Sequence, residues 1–284
     1  MKIAVIPNVE KPSAISCAED IAKLFLTKGA EVLMPETLKN NITDTSILFF
    51  PTYDEIFENA DCAVTVGGDG TIIHTARYAA VYSKPIIGVN LGRLGYVAEL
   101  EPSEINMLSR LLCGDFVTCE RMMLEVSVIH KDGKCDSYLA VNDAVISRGS
   151  LSRIIDLDVF VEGERISNYR ADGLLFSTPT GSTAYALSAG GPVIDPCLSL
   201  IELTPICPHS LTARTVIFTD DTVLSVSCNS PESSYLTIDG QISVEIGQKD
   251  TVRISKSCHK LKMNVLKLKN FYKVAGEKLD NPNL

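Results

Sequence analysis

The chain reads as two folds in succession: an α/β, Rossmann-like N-terminal domain and an all-β, sandwich-like C-terminal domain. Three observations predict this. Over the first hundred residues, short apolar strand patterns alternate with helical spacings. From about residue 120 onward, period-2 alternation and hairpin turns take over. The length, 284 residues, suits one large domain or two smaller ones, since a domain takes roughly 150 residues.

KIAVIP (2–7) is a short apolar run stopped by Pro7, as expected of a buried parallel strand. Residues 13–28 set Ile15, Ala18, Ile21, Ala22, Leu24 and Phe25 at helical spacing, and Gly29 supplies a C-terminal stop. EVLMP (31–35) and DCAVTV (61–66) read as strands, the second running straight into Gly67. After Gly70, TIIHTARYAAVY (71–82) reads as a helix and PIIGVN (85–90) as another buried strand. Such alternation argues a doubly wound layer.

Further on, MLEVSVIH (123–130) and SYLAVNDAVI (137–146) flank KDGK, whose Asp132-Gly133 is a hairpin signal. IIDLDVFV (154–161) and ISNYRADGLLFS (166–177) flank EGER, a second hairpin around Gly163. VLSVSC (223–228), SYLTIDG (234–240), ISVEIG (242–247) and TVRISKS (251–257) complete a set of antiparallel strands. The expected domains are therefore 1–100 and 101–260, with the crossing around 98–120. After 260, KLKMNVLKLKNFYKVAGEKL resumes a strand and then a helix, so 261–284 is expected to return to the first domain.

Composition narrows the function. Hydrophobic residues make up 45% and charged residues 21%, enough apolar surface to build a core and to exclude disorder. With 26 Lys+Arg against 35 Asp+Glu, the net charge of −9 opposes a broad nucleic-acid footprint. A small anion can still bind where backbone N–H groups converge. The N-terminal MKIAVIPNVEKPS lacks a signal-peptide core. No run approaches the roughly 20 apolar residues that span a bilayer, so no membrane partner is expected. Nine cysteines without a C-x-x-C pair fit reduced thiols in a cytoplasmic protein. The four histidines show no zinc-like spacing.

Three segments carry chemistry. Gly67-Gly68-Asp69-Gly70-Thr71 joins a strand to a helix, where glycines let the backbone approach a phosphate and the helix start offers N–H donors. Asp69 repels a phosphate, so it reads as a base for an attacking hydroxyl, a metal partner or a helix cap. His74, one turn on, faces the same ligand or lies on the helix surface. Asn142-Asp143, inside the apolar LAVNDAVISRG, needs partners: a nucleoside edge and sugar hydroxyls, or its own backbone at a turn or bulge. The third segment, Asp172 to Pro192, is dense in hydroxyls over 177–183 and brings Tyr185 to a possible flat ring. A plain Ser/Thr-rich surface loop is the alternative.

GGDGT (67–71), GVNLGRLGY (88–96), VNDAVISRG (141–149), ADGLLFSTPTGSTAYALSAGGP (171–192) and IDGQ (238–241) together resemble NAD kinases, in the same order over nearly the whole chain. GGDG alone is shared with lipid kinases and phosphofructokinases; the long STPTGSTAYALSAGGP stretch is specific. The resemblance implies ATP-dependent phosphorylation of the adenosine-ribose 2′-hydroxyl of NAD, giving NADP, in a homodimer or homotetramer. It implies Asp69 as catalytic base, with Gly68, Gly70 and His74 beside the nucleotide. Further binding positions are Asn142, Asp143, Arg153, Arg170, Asp172, Thr180 and Gln241, with Thr183, Ala184, Tyr185, Ala186, Leu187 and Ser188 as one segment. Asp143 stands where many members have Glu, one methylene longer. A divalent cation, Mg²⁺, is expected with the donor, which is ATP or polyphosphate. The competing functions are a lipid or sugar kinase sharing the GGDG loop and a non-catalytic NAD-binding sensor.

Overall fold

The computed structural model describes residues 1–92, 96–149, 153–229, 234–267 and 271–280, the last three by backbone alone. The chain forms two compact units, Met1–Glu120 with Leu261–Leu284, and Arg121–Lys260. The changeover falls at Glu120 rather than at 100. The reason is packing: the 3₁₀ segment Pro102–Cys113 sends Leu108 and Leu111 into the same core as the first strand and helix.

In the first unit the chain runs β1 (Lys2–Pro7), α1 (Pro12–Thr27), β2 (Glu31–Pro35), β3 (Leu48–Phe50), α2 (Tyr53–Asn59), β4 (Cys62–Gly67), α3 (Asp69–Val81) and β5 (Ile86–Asn90). The strands are parallel in the order β5-β4-β1-β2-β3. That is the doubly wound order in which chain direction across the sheet reverses between β1 and β4. Ligands of such sheets bind at the carboxyl ends of the strands beside that reversal. Gly67 closes β4 at that end, and Asn8, just past β1, donates its N–H to Val66 O at 2.8 Å. α1 buries Ala14, Cys17, Ala18, Ile21, Ala22 and Phe25, a stripe at helical spacing. Gly29 ends it in a left-handed conformation, φ +79°, which costs glycine little. β3 and α2 are absent from the sequence-based pattern. The start of α2 nonetheless has a recognisable cap, since Thr52 Oγ1 accepts the N–H of Glu55 at 3.2 Å.

β6 (Val117–Ile129) runs from the first unit into the second, where β7 (Cys135–Ala140), β8 (Asp143–Arg148), β9 (Ile155–Val161), β10 (Glu164–Ala171) and β11 (Gly173–Ser177) follow. The short helix α4 (Tyr185–Ser188), β12 (Leu200–Ile206), β13 (Val216–Thr219), β14 (Leu224–Cys228), β15 (Ser234–Ile238) and β16 (Ile242–Ile246) complete it, and β17 (Thr251–Val265) leads back into the first unit at Leu261. One antiparallel sheet has the order β13-β12-β11-β8-β15-β16. The facing strands run β10-β9-β14-β17, with β6 beside β17 and β7 beside β6. Leu124, Val126, Leu157, Val159 and Leu224 from one side meet Ile146, Phe176, Leu203 and Leu236 from the other in a common core. The hairpin at Gly163 places Glu162 and Gly163 at φ +50° and +85°, as a two-residue turn with left-handed central residues requires.

Two expected strands are each two strands. SYLAVNDAVI divides into β7 and β8, and ISNYRADGLLFS into β10 and β11, with the halves in different sheets. The breaks fall at Val141-Asn142 and at Asp172, where polar groups take backbone partners that a continuous ladder would have used.

After β17 comes α5 (Phe271–Asp280). Residues 264–267 are tied to the first unit by Thr118 Oγ1 donating to Asn264 Oδ1 at 2.9 Å, Arg110 Nη1 to Leu266 O at 2.8 Å and Lys267 N to Glu99 Oε1 at 2.7 Å.

Candidate active site

In the first unit, the loop after β4 is shaped by two kinds of glycine. A Cβ on Gly67 would sit 2.5 Å from Thr71 Oγ1. That glycine is required by the loop's own packing. A Cβ on Gly68 or Gly70 would meet nothing within 4 Å among the described residues, and neither has a left-handed φ. The fold does not demand glycine there; close approach by a ligand would.

Asp69 is the first residue of α3, at the positive end of the helix dipole. Its Oδ2 accepts the N–H of Tyr96 at 3.0 Å, which fixes the carboxylate plane. Its Oδ1 is buried and has no hydrogen-bond partner among the described residues. A carboxyl group with one oxygen held and the other without a partner among the described residues can take a proton or meet a cation.

His74 lies five residues on, about 140° round the helix from Asp69 at 100° per residue. Its ring packs edge-on against Tyr53 and Tyr78, each at 5.5 Å between centroids, and Arg77 Nη2 comes within 3.5 Å of Nδ1. The helix thus gives His74 an aromatic setting rather than the side that Asp69 occupies. Of the GVNLGRLGY segment, Arg93, Leu94 and Gly95 lie outside the described residues. Gly88 is needed for packing, because a Cβ there would lie 2.4 Å from Ile72 Cδ1.

In the second unit, a cavity of about 420 Å³ is lined by Asn142, Asp143, Ala184, Tyr185, Thr237 and Asp239, among others. Its floor is a carboxylate clasp. Asp239 accepts three successive backbone N–H groups: Val141 at 3.0 Å, Asn142 at 2.7 Å and Asp143 at 3.1 Å. Asp239 sits at φ +50° and Gly240 at +65°, in the turn from β15 to β16. Asp tolerates that conformation better than most residues. The clasp satisfies the donors freed where β7 ends and β8 begins, and it presents the two side chains of Asn142 and Asp143.

Those two side chains differ in their needs. Asn142 Oδ1 is buried without a partner among the described residues. Asp143 is 5% exposed. Burial, reinforced by the neighbouring Asp239 carboxylate, pushes its carboxyl up to about 7.

The hydroxyl-rich loop is less available to a ligand than its composition suggests. Ser177 Oγ donates to Asn142 O at 3.1 Å, and Thr178 Oγ1 donates to Val141 O at 2.7 Å. Ser182 Oγ donates to Pro179 O at 2.8 Å and accepts from Ile194 N at 3.0 Å. Thr183 Oγ1 donates to Thr180 O at 3.4 Å. These hydroxyls hold the loop together. Gly181 lets it pass over Asn142, where a Cβ would stand 2.2 Å from the carbonyl oxygen.

Ala184 and Tyr185 border the cavity, Tyr185 being 46% exposed. Ala186 is buried against Val145 and Leu175, anchoring α4. Thr180 is buried, Leu187 half-buried and Ser188 exposed. Arg153, Arg170, Asp172 and Gln241 do not line this cavity. Arg170 borders another, of about 600 Å³, with His209 and Arg214. Asp172 is paired with Arg148 Nε at 2.7 Å. Arg153 and Gln241 are exposed, and the Gln241 N–H closes its turn onto Ile238 O at 2.9 Å. Asp239 is the residue that sequence reasoning left unassigned. Its Asp-Gly step in IDGQ was the available signal, that of a tight turn.

Two family models cover this chain. The ATP-NAD kinase N-terminal domain matches residues 3–116, and the ATP-NAD kinase C-terminal domain matches 141–266. The chain belongs to the ATP-NAD kinase family. A protein named NAD kinase from Geotalea daltonii is 39% identical over 280 residues, 98% of either chain. One from Carboxydothermus hydrogenoformans is 41% identical over 232 residues, 81% of this chain and 83% of that one. Yeast NADH kinase complexed with NADH superposes with a TM-score of 0.89 at 25% identity, covering all of this chain and 88% of that one. An NAD kinase from Archaeoglobus fulgidus in complex with ATP shares the fold, with a TM-score of 0.75, 24% identity and 99% of each chain covered. The Asp69 loop falls inside the first family match and the Asp239 clasp inside the second.

The two kinds of glycine should separate experimentally. Gly67→Ala forces Thr71 to move and should lower the melting temperature, with a cost of about 1–3 kcal/mol. Gly70→Ala should melt like the wild type but lose kinase turnover. Equal melting losses in both would show that the fold, not a ligand, requires Gly70.

Proposed function

We propose that the chain, as an ATP-dependent NAD kinase, moves the terminal phosphoryl group of ATP to the adenosine-ribose 2′-hydroxyl of NAD with Asp69 as general base. The observation that carries the assignment of the base is the state of its carboxylate. Oδ2 is held by the Tyr96 N–H, and Oδ1 is buried without a partner among the described residues. In this reading Oδ1 takes the proton of the attacking hydroxyl as the new oxygen–phosphorus bond forms and the bond from the γ-phosphorus to the β,γ-bridging oxygen breaks, releasing ADP. The α3 amino end stabilises the negative charge of the donor phosphates.

The nucleoside end is assigned to the second unit's cavity, where Asn142 Oδ1 lacks a donor among the described residues and Asp143 accepts from sugar hydroxyls. Tyr185, half-exposed on the rim, supplies a flat surface for a ring. Relatives named NAD kinase at 39% and 41% identity favour NAD over NADH as acceptor. The second unit's STPTGSTAYALSAGGP segment, specific to kinases acting on NAD, weighs against a lipid or sugar substrate, and the intact Asp69 loop weighs against an inert sensor.

A divalent cation fits this site in one way. Among the described residues, no group of three or more His, Cys, Asp or Glu gathers into a metal site. Mg²⁺ needs none when it is held through one or two carboxylates and the substrate's own phosphates. Asp69 would be that carboxylate, and the cation would supply charge neutralisation at the phosphates. A cytoplasmic location and assembly as a homodimer or homotetramer belong to the same proposal. Ile166, Leu211 and Ile217, apolar and exposed, are side chains that such an assembly could cover.

The test is NADP formation from NAD, ATP and Mg²⁺, coupled to an NADP-specific dehydrogenase. Asp69→Asn should lower kcat by on the order of 10²–10⁴-fold, the usual contribution of a general base, with NAD affinity nearly intact. Near-full turnover in that variant would remove Asp69 from the mechanism.

The Asp143 carboxyl sets a pH dependence. Below about 7 it is protonated, and it must release that proton before accepting from two hydroxyls. NAD should therefore bind about tenfold more weakly at pH 6 than at pH 8, by linkage. Asp143→Asn, which does not titrate, should flatten the profile. Tighter binding at pH 6 than at pH 8 would mean that Asp143 engages the ligand in its neutral form.

A further inference from the structure

On the six-stranded sheet, one row of side chains crosses from strand to strand. Asp143 of β8 is paired with Ser177 of β11, and Ser177 with Glu202 of β12. Directly paired residues of antiparallel strands project to the same face. Glu202 therefore lies on the face that carries the cavity, about 10 Å from Asp143 at two strand spacings.

Glu202 is fully buried. Its Oε1 accepts from Thr204 Oγ1 at 2.7 Å, and Thr204 is in turn 2.9 Å from Thr215 Oγ1. Its Oε2 has no partner among the described residues. A buried carboxyl is costly to keep in a core, so its presence asks for a role. Burial favours the neutral acid and raises its pKa, against the Thr204 hydrogen bond, which favours the carboxylate.

What the carboxyl touches points to that role. A Cβ on Gly191 would stand 2.0 Å from Glu202 Oε1, so the carboxyl occupies the space beside the bare Cα of that glycine. Gly191 N donates to Ala186 O at 2.9 Å, and Gly190 N to Leu187 O at 3.1 Å. The Gly190-Gly191 turn is thus the C-terminal lock of α4. α4 begins with Tyr185, which lines the cavity together with Ala184. Ser182, bonded to Ile194, and Ala186, buried against Leu175, hold the same loop from its other sides.

We infer that Glu202 is a positioning residue for nucleotide binding: its carboxyl seats the Gly190-Gly191 turn, and the turn fixes α4 so that Tyr185 and Ala184 hold their places on the cavity rim. Glu202 touches no substrate, and its effect passes through the turn. The inference rests on the proposed NAD kinase reaction.

The test is a set of variants of the full chain, read by melting temperature and by the kinetics of NADP formation. Glu202→Gln keeps the shape and should stay within twofold of the wild type in KM for NAD and in kcat. Glu202→Ala should raise KM for NAD five- to tenfold while kcat changes less than threefold, because the catalytic loop is untouched. Gly191→Ala collides with the Glu202 carboxyl and should show the same split in KM against kcat. Combining Gly191→Ala with Glu202→Ala removes the collision, so the double variant should bind NAD better than Gly191→Ala alone. If Glu202→Ala lowers only the melting temperature, or if the double variant shows purely additive losses, the inference fails. Should Glu202→Ala not fold, the Gly191→Ala and Glu202→Gln arms decide it alone. A wild type that makes no NADP would instead overturn the reaction on which the inference rests.

Discussion

The Asp239 carboxylate, closed on three consecutive N–H groups, is the constraint on which the second unit's site depends. Where β7 ends and β8 begins, the chain leaves one sheet for the other, and its backbone donors lose their ladder partners. Buried donors left unmade cost about 1–3 kcal/mol each. One side chain from the β15–β16 turn satisfies Val141, Asn142 and Asp143 together. The carbonyls freed at the same place are covered from the other side. Thr178 takes Val141 O by its hydroxyl and Asn142 O by its N–H at 2.9 Å, and Ser177 adds a further bond to Asn142 O. Every backbone group at the break is accounted for, which leaves the two side chains rather than the backbone to face the cavity.

The same clasp sets the site's electrostatics. Burial first, and the neighbouring Asp239 carboxyl second, push the Asp143 carboxyl up to about 7, so it is poised near neutral pH. A chain of net charge −9 offers little long-range attraction to a nucleotide that is itself anionic. In the proposed reaction, binding would come from local donors: the start of α3 and the glycine loop in one unit, and the groups of the cavity in the other. Glycine at 68 and 70, where an added side-chain carbon would meet nothing among the described residues, fits that proposal.

Much of the fold was legible because its signals are local. The apolar run of β1 and the α1 stripe closed by Gly29 follow from periodicity and a helix stop, and the Gly163 hairpin from its turn residues. The strand breaks at Asn142 and Asp172 were not legible, because an apolar alternation looks the same whether a strand continues or changes sheet. β3, three residues long, and α2, seven, are too short for a period to show. At the site, Asp69, Asn142 and Asp143 stood out as polar residues in apolar surroundings. The role of the Ser/Thr-rich loop did not, since composition counts hydroxyls without saying which carbonyls they bond. Asp239 was hidden for a related reason: its partners lie nearly a hundred residues away in sequence, and only the pairing of β8 with β15 brings them together.

The most direct measurement of the clasp is the dissociation constant for NAD of Asp239→Asn, by calorimetry beside the wild type. The substitution keeps the size of the side chain but turns one acceptor into a donor facing backbone N–H groups. It should break the clasp, release Asn142 and Asp143 from their fixed directions and weaken NAD binding by at least tenfold. Unchanged affinity in a folded Asp239→Asn variant would contradict the account, for the nucleoside cavity would then be organised without it.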